Sequence, residues 1–410
     1  MVPAAVHIKL QRSDCYRNHF HCSAGINMII LLVFLLLLAA LYATLLLLYR
    51  KSWKAIPFYH TKDSENSSEF ISVVIPARNE AHNLPALIAD LRLQKLTADK
   101  FEVIIVDDHS EDATAEIAEK AGGNIRLVKL ADHITEPVTA FKKKALETAI
   151  SFARGNVIVT TDADCRVQSE WLSIISKYFN SADCNFLVMP VAFPQSKSFF
   201  QTFQSLDFIS LQGITGAALY RRWHYMCNGA NLAYRRDIFW KVKGFEGIDQ
   251  IASGDDMLLM EKFAAFNGDS IHYLKNEKVI VETAACKNLK TFFQQRARWA
   301  GKSAHYKNSI TTAVLILIYL LNALVLVSPF IFLLRTGGTV SPGAFLAAWI
   351  AALLIKTVSE LFFLAPVARF FNRVSTLKYF PLAQPFHILY TVLAGFLGMA
   401  GKQNWKGRKV

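Results

Sequence analysis

The chain is 410 residues long, 53% hydrophobic and 19% charged, with a net charge of +13. That is too apolar for an ordinary soluble protein and too charged for a pure membrane bundle, so it predicts one soluble domain beside several membrane spans. The positive excess gathers beside hydrophobic segments, at Arg50, Lys51 and Lys54 and at Lys402, Lys406, Arg408 and Lys409, while Lys302 and Lys307 agree with a cytoplasmic central domain. That excess reads as charge facing membrane lipids and speaks against nucleic acid as a partner.

Residues 1–25 read as an N-terminal tail, because Met28 opens the first apolar run directly. Cys15, His19, His21 and Cys22 lie there, and a disordered tail is the simpler reading than a metal site. Without a CxxC pair or framework spacing, the six cysteines read as reduced thiols. Residues 26–49 are long enough for a transmembrane helix, since ~20 apolar residues cross a bilayer. No small-residue cleavage site follows, so the run is no signal peptide. A linker over 50–69 leads to a domain of ordinary composition over 70–286.

That domain alternates apolar β-branched runs with helical periodicity. Strands are predicted over 71–76, 101–107, 125–130 and 156–161. Helices are predicted from Leu84, Leu87, Ile88 and Leu91, around 112–121, and over 140–152. Alternation of this kind means an α/β fold with a mostly parallel sheet, whose ligands bind beyond the carboxyl ends of the strands.

The acidic residues fall where such a fold needs them. Asp107 and Asp108 end the second strand in VDDHSEDAT (106–114), where a carboxylate can accept hydrogen bonds from a base or ribose. Helix capping explains Ser110 or Asp112 but not that pair. Asp162 and Asp164 in TDAD (161–164) sit two apart, which in an extended stretch directs both to one side. With no basic partner in view they would repel unless a cation lay between them, and hard Mg²⁺ or Mn²⁺ suits such oxygens. Asp255 and Asp256 open a helix over 253–268, either as capping residues or as a candidate general base.

Beyond the domain, 287–307 reads as an interfacial amphipathic helix on which Gln295, Arg298 and Trp299 share one face. Residues 310–334, 343–365 and 381–400 follow as transmembrane segments, the middle one a helix or a hairpin, and 401–410 as a basic tail. Three crossings would leave that tail outside if the central domain is cytoplasmic, against the positive-inside tendency. Lys356 and Glu360, one turn apart, are expected to pair near an interface.

In this order the pieces resemble glycosyltransferase family 2 enzymes with a GT-A, Rossmann-like fold, here inserted between transmembrane helices. VVIPARNE (73–80) is similar to the family's opening strand and nucleotide-edge loop, with Ala77 and Glu80 at the nucleotide. VDDHSEDAT resembles the base-reading segment, FKKKAL (141–146) the Gly-Lys-x-x-Ala-Leu element, and TDAD the metal-binding DxD. GDD (254–256) resembles the pair holding the catalytic base, and QRARW (295–299) the QxxRW motif of the membrane-integrated branch. That branch includes cellulose, hyaluronan and poly-N-acetylglucosamine synthases and ceramide glucosyltransferases.

The resemblance implies a nucleotide-sugar donor read by Asp107 or Asp108, with Lys142 beside the nucleotide. Asp162 would lie at the diphosphate, and Asp164 would bind it through Mg²⁺ or Mn²⁺. Asp256 would be the base, with Asp255 the fallback, and transfer would invert the anomeric centre. Asn228 and Gly229, in NGANLAYRR (228–236), and Gln295, Arg298 and Trp299 would lie near the acceptor, lipid-linked or saccharide. The family's glycine before the lysine is Phe141 here, which leaves Lys142 and Lys143 in competition. A processive product would need export through a homo-oligomer or a partner. The expected location is the plasma or inner membrane, with the domain cytoplasmic. The competing classes are a nucleotide-sugar-binding assembly protein without turnover and a nucleotidyltransferase.

Overall fold

The computed structural model describes residues 4–61, 69–135, 137–251, 253–302, 306, 308–334, 340–400, 404–405 and 408–409; side chains are not described for 4–27, 399–400, 404–405 and 408–409. In chain order the main elements are α1 (Ala4–Ala55), β1 (Ile71–Ala77), α2 (Leu84–Arg92), β2 (Phe101–Asp107), α3 (Thr114–Ala121), β3 (Ile125–Lys129), α4 (Phe141–Phe152), β4 (Val157–Thr160), β5 (Cys165–Arg166), α5 (Trp171–Ser181) and β6 (Phe186–Val188). There follow β7 (Val191–Ala192), α6 (Phe199–Arg221), β8 (Leu232–Arg235), α7 (Arg236–Lys241), α8 (Met257–Asn267), β9 (Ile271–Tyr273), β10 (Val281–Thr283), α9 (Leu289–Gly301), α10 (Ser309–Leu334), α11 (Pro342–Phe370) and α12 (Phe380–Ala400).

A seven-stranded sheet in the order β3-β2-β1-β4-β8-β6-β9 forms the centre, and a small sheet β5-β10-β7 flanks it. β1 pairs in parallel with β2 and β4, and β2 with β3, whereas β8 runs antiparallel to both β4 and β6. Side chains on successive strand positions go to opposite faces. Val73 and Ile75 pack with Leu84, Leu87 and Ile88 of α2 and Trp171 of α5, while Val74 packs with Ala145 and Ile150 of α4. Both faces are therefore covered, which is why the strands read as unbroken apolar runs. From β1 the chain winds outward to β2 and β3, then returns to lay β4 on the other side of β1. The carboxyl edge between β1 and β4 is thus the topological switch point, where such sheets open a crevice.

Among the described residues, four helices are long and apolar enough to cross a membrane: Met28–Ala55, Ser309–Leu334, Pro342–Phe370 and Val374–Gly398. From Ala4 on, the stretch expected as a tail lies within α1, which also takes in residues 50–55 of the expected linker. The side chains of Cys15, His19, His21 and Cys22 lie outside the described ones, as do residues 62–68 of the linker. α11 is one 29-residue helix, not a hairpin.

α6 joins the sheet to the membrane helices, and close approach makes the joint tight. A Cβ at Gly213 would come within 2.6 Å of Val367 on α11. Lys356 and Glu360 do pair, at 2.7 Å, but inside the bundle instead of near an interface. Tyr42 of α1 donates to Glu360 at 2.8 Å, and Gln384 of α12 donates to it at 2.6 Å. Burial is tolerated because each charge finds several partners. A second buried pair, Arg296 of α9 to Asp207 of α6 at 2.6 Å, is joined by Tyr390 of α12. Both side chains of that pair are 4% exposed. Removing one partner strands the other charge, so Arg296→Met should cost about 3–5 kcal/mol, read as a lower Tm in detergent. The double variant with Asp207→Leu should recover much of that loss.

Candidate active site

The switch point gathers residues from five segments. Ala77 ends β1, Asp107 ends β2 and Asp162 follows β4. Lys142 lies in the first turn of α4, and Asp256 caps α8. Because β8 is antiparallel to β4, the chain entering it passes the carboxyl end of β4, and the Thr160 hydroxyl donates to the Gly229 carbonyl at 3.2 Å. That brings Asn228 and Gly229 to the acidic cluster.

Lys142 is the centre of that cluster. Its ammonium lies 2.8 Å from Asp162 and 3.0 Å from Asp255, joining two motifs 93 residues apart (255 − 162). This corrects the expectation that the TDAD carboxylates lack a basic partner. The segment is also not extended: the Cys165 amide donates to the Asp162 carbonyl at 3.1 Å, which closes a turn and leaves Asp164 exposed. Burial alone would raise the Asp255 carboxyl, but the Lys142 and Lys302 charges outweigh it and hold it well below the usual carboxylate range. Burial likewise opposes charge on Lys142, yet Asp162 and Asp255 keep it firmly protonated.

Asp256 accepts from the Met257 amide at 2.8 Å and the Gly229 amide at 3.2 Å, and Lys302 lies 3.4 Å away. The capping reading of Asp256 thus holds in the structure. Lys302, read from the sequence only as a positive charge on the expected cytoplasmic side, faces the Asp256 carboxylate. Gly229 admits no bulk: a Cβ there would stand 3.2 Å from the Asp255 carboxylate and 3.6 Å from the Lys142 ammonium.

At the outer edge, the loops after β1 and β2 brace each other. The Asn79 amide donates to Ser110 at 3.0 Å, the Glu80 amide to Thr114 at 2.8 Å, and the Ala81 amide to Asp112 at 3.1 Å. Asn79 and His109 hold φ of 54° and 56°, and such outliers concentrate where a site needs a loop in one shape. The Asp108 amide donates to the Ala77 carbonyl at 2.8 Å, and its carboxylate meets His109 at 2.9 Å. Asp107 Oδ2 accepts from the Ser110 amide at 3.4 Å, while its buried Oδ1 has no hydrogen-bond partner among the described residues. A buried acceptor left open is uncommon and calls for a donor from outside the chain.

The helix α9 carries the last group. Trp299 packs on Phe208 at 6.0 Å and takes the Arg296 guanidinium over its face at 4.2 Å. Gln295 Oε1 is buried without a partner, and Arg298 is half-buried on the same helix. Sequence reasoning missed Arg296, Lys302 and the backbone carbonyls that Lys143 bonds. Nothing local marks them, since their partners lie far away in the chain.

For a divalent ion, the described residues offer no group of three His, Cys, Asp or Glu side chains. The exposed Asp164 and the second Asp162 oxygen fit a hard ion that takes its remaining oxygens from substrate phosphates and water.

Residues 72–243 match the family model for glycosyl transferase family 2. Among curated proteins, the chain is 31% identical over 112 residues to a 4,4'-diaponeurosporenoate glycosyltransferase of Staphylococcus haemolyticus, covering 27% of this chain and 28% of that one. It is 26% identical over 148 residues to a beta-monoglucosyldiacylglycerol synthase of Trichormus variabilis, covering 36% and 31%. Each match spans under a third of the relative's own length. A solved mannosyltransferase from Pyrobaculum calidifontis, in complex with GDP-Man and Mn²⁺, matches with a TM-score of 0.57 at 19% identity. It covers 87% of this chain and 99% of that one, which establishes the GT-A fold.

Proposed function

We propose that the protein is an inverting, metal-dependent glycosyltransferase of the membrane-integrated branch. It moves a sugar from a nucleotide-diphosphate donor, a UDP-sugar by family likeness, to a lipid-linked or growing polysaccharide acceptor at the cytoplasmic face of the membrane. The observation that carries this reading is the Lys142 bridge, which puts the TDAD and GDD carboxylates around one ammonium at the switch point. A glycolipid synthase among the relatives and four apolar helices support a membrane-borne acceptor.

Asp107, with its open Oδ1, reads the nucleoside base, while Asp108, Ala77 and Glu80 shape that edge of the crevice. Lys142 and Asp162 lie at the diphosphate. A Mg²⁺ or Mn²⁺ ion on Asp164 and Asp162 would neutralise charge gathering on the leaving nucleoside diphosphate. Asp256, which accepts from two backbone amides and lies beside Lys302, takes the proton of the acceptor hydroxyl. The acceptor oxygen bonds to the anomeric carbon as the bond to phosphate breaks on the opposite face, and the electron pair leaves with the nucleoside diphosphate. Asp255, engaged by Lys142, is the poorer proton acceptor of the pair. Asn228, Gly229, Gln295, Arg298 and Trp299 face the acceptor.

The test is nucleoside diphosphate release by the detergent-purified chain over UDP- and GDP-sugars with Mn²⁺ or Mg²⁺, with membrane lipid extract as acceptor. One donor should give metal-dependent release, abolished by chelation and reduced at least ~100-fold in Asp164→Asn. Donor binding without release would instead support a nucleotide-sugar-binding assembly protein.

A further inference from the structure

The segment from Lys243 to Ser253 links α7 to the GDD turn, and its described residues form turns and bends with neither helix nor strand, yet its carbonyls converge on two lysines. Lys262 of α8 donates to the carbonyls of Lys243 at 3.0 Å, Gly244 at 2.6 Å and Glu246 at 2.9 Å. Lys143 of α4 donates to those of Ile248 at 2.6 Å, Ile251 at 2.6 Å and Ser253 at 3.0 Å. Lys143 is 2% exposed. An ammonium has three donors and no acceptor, so each lysine is filled by three carbonyls, and each carbonyl gains a charged donor that water would otherwise supply.

These lysines sit on the two helices that carry the reacting groups. Lys143 follows Lys142, the bridge to Asp162 and Asp255, and Lys262 stands on the helix that Asp256 caps. The segment ends in Gly254, whose φ of +81° turns the chain into Asp255. Shifting the carbonyls of Ile251 and Ser253 would therefore shift both aspartates.

We propose that Lys143, seconded by Lys262, is a positioning residue that holds the Lys243–Ser253 segment and so sets Asp255 and Asp256 against Lys142. For catalysis this rests on the transferase reading above; the holding itself does not. Lys143 touches neither donor nor acceptor in that reading, and it settles the competition with Lys142: one lysine serves the carboxylates, its neighbour the backbone.

A pH signature separates this from a general packing role. Burial brings the Lys143 ammonium down to about 8, against the charges of Asp255, Asp256 and Asp249 facing it, with Lys302 adding to the fall. Losing that proton removes one of three donors and loosens the segment.

The experiment compares Lys143→Met, Lys143→Arg, Lys262→Met and the parent chain in detergent, by kcat, donor KM, pH profile and hydrogen exchange of amides 245–257. In Lys143→Met, kcat should fall roughly 10- to 100-fold with donor KM within about threefold, since displacing reacting groups by ~1 Å costs up to ~10². Exchange should quicken in the segment while the strands of the sheet stay protected. Lys262→Met should do the same more weakly. Lys143→Arg, which keeps its charge, should lose the alkaline fall of the parent's profile near pH 8. Unchanged exchange in both methionine variants, or a kcat loss matched only by a loss of folded protein, would overturn the proposal. If the parent turns over no donor, the transferase reading falls, and segment exchange alone decides whether the lysines hold it.

Discussion

Asp256→Asn is expected to lower turnover by about 10²- to 10⁴-fold, the usual contribution of a positioned general base, with donor KM nearly unchanged. The amide is close to the carboxylate in shape and its one oxygen can still accept from the Met257 amide, so the cap of α8 survives and the variant should fold, although the Gly229 amide loses its acceptor. What it loses is the basic oxygen for the acceptor proton and the attraction to Lys302. Nucleoside diphosphate release checks this, alongside donor binding measured directly. If Asp256→Asn keeps parent-like release while Asp255→Asn loses it, the roles of the two aspartates exchange and the reaction class stands.

The second large effect is on stability. In Lys142→Met the bridging charge disappears and leaves Asp162 and Asp255 facing each other. Stranding one member of a buried ion pair costs about 3–5 kcal/mol. Asp162 is 36% exposed and can turn to water, so the lower part of that range is expected. The sign of the pH dependence follows from Asp255. In the parent its carboxyl sits below the ordinary value, so the stability it contributes is present above the unfolded value, ~3.9, and is lost as pH falls through the folded one. Without Lys142 the raising effect of burial meets only Lys302 and a backbone hydrogen bond. Asp255 then titrates higher, and protonation relieves the variant as pH falls from neutrality. The Tm gap between parent and variant should be widest near neutrality and narrow toward about pH 5. A gap independent of pH would mean that the loss comes from packing of the lysine stem.

Much of this domain was legible because its signals are local. β1, β2, β3, α2 and α4 fall within a residue or two of their expected limits, since apolar runs and helical periodicity act over a few neighbours. The acidic residues were found for the same reason: in a covered parallel sheet they stand just past a strand. The shape of TDAD was misjudged, because a turn closed by Asp162 and Cys165 looks like extended chain to a pattern of alternate residues. The burial of Lys302 and of the Lys356–Glu360 pair was not legible, because burial of a charge depends on what packs over it. Lys302 is covered at the GDD turn, and Lys356 by α1 and α12.

The sequence by itself determined the alternation of strands and helices, the apolar segments and the placing of Asp107, Asp162 and Asp256 at element ends. Each of these follows from residues close together in the chain. Only the tertiary structure decided that Lys142 bridges Asp162 to Asp255, that Lys302 faces Asp256, that Asp107 keeps an open oxygen, and that Lys143 serves the backbone. Those outcomes depend on the antiparallel entry of β8 and on a loop folded back over α4. They arise between residues up to about a hundred positions apart, where a charge takes whichever partner the packed elements bring to it.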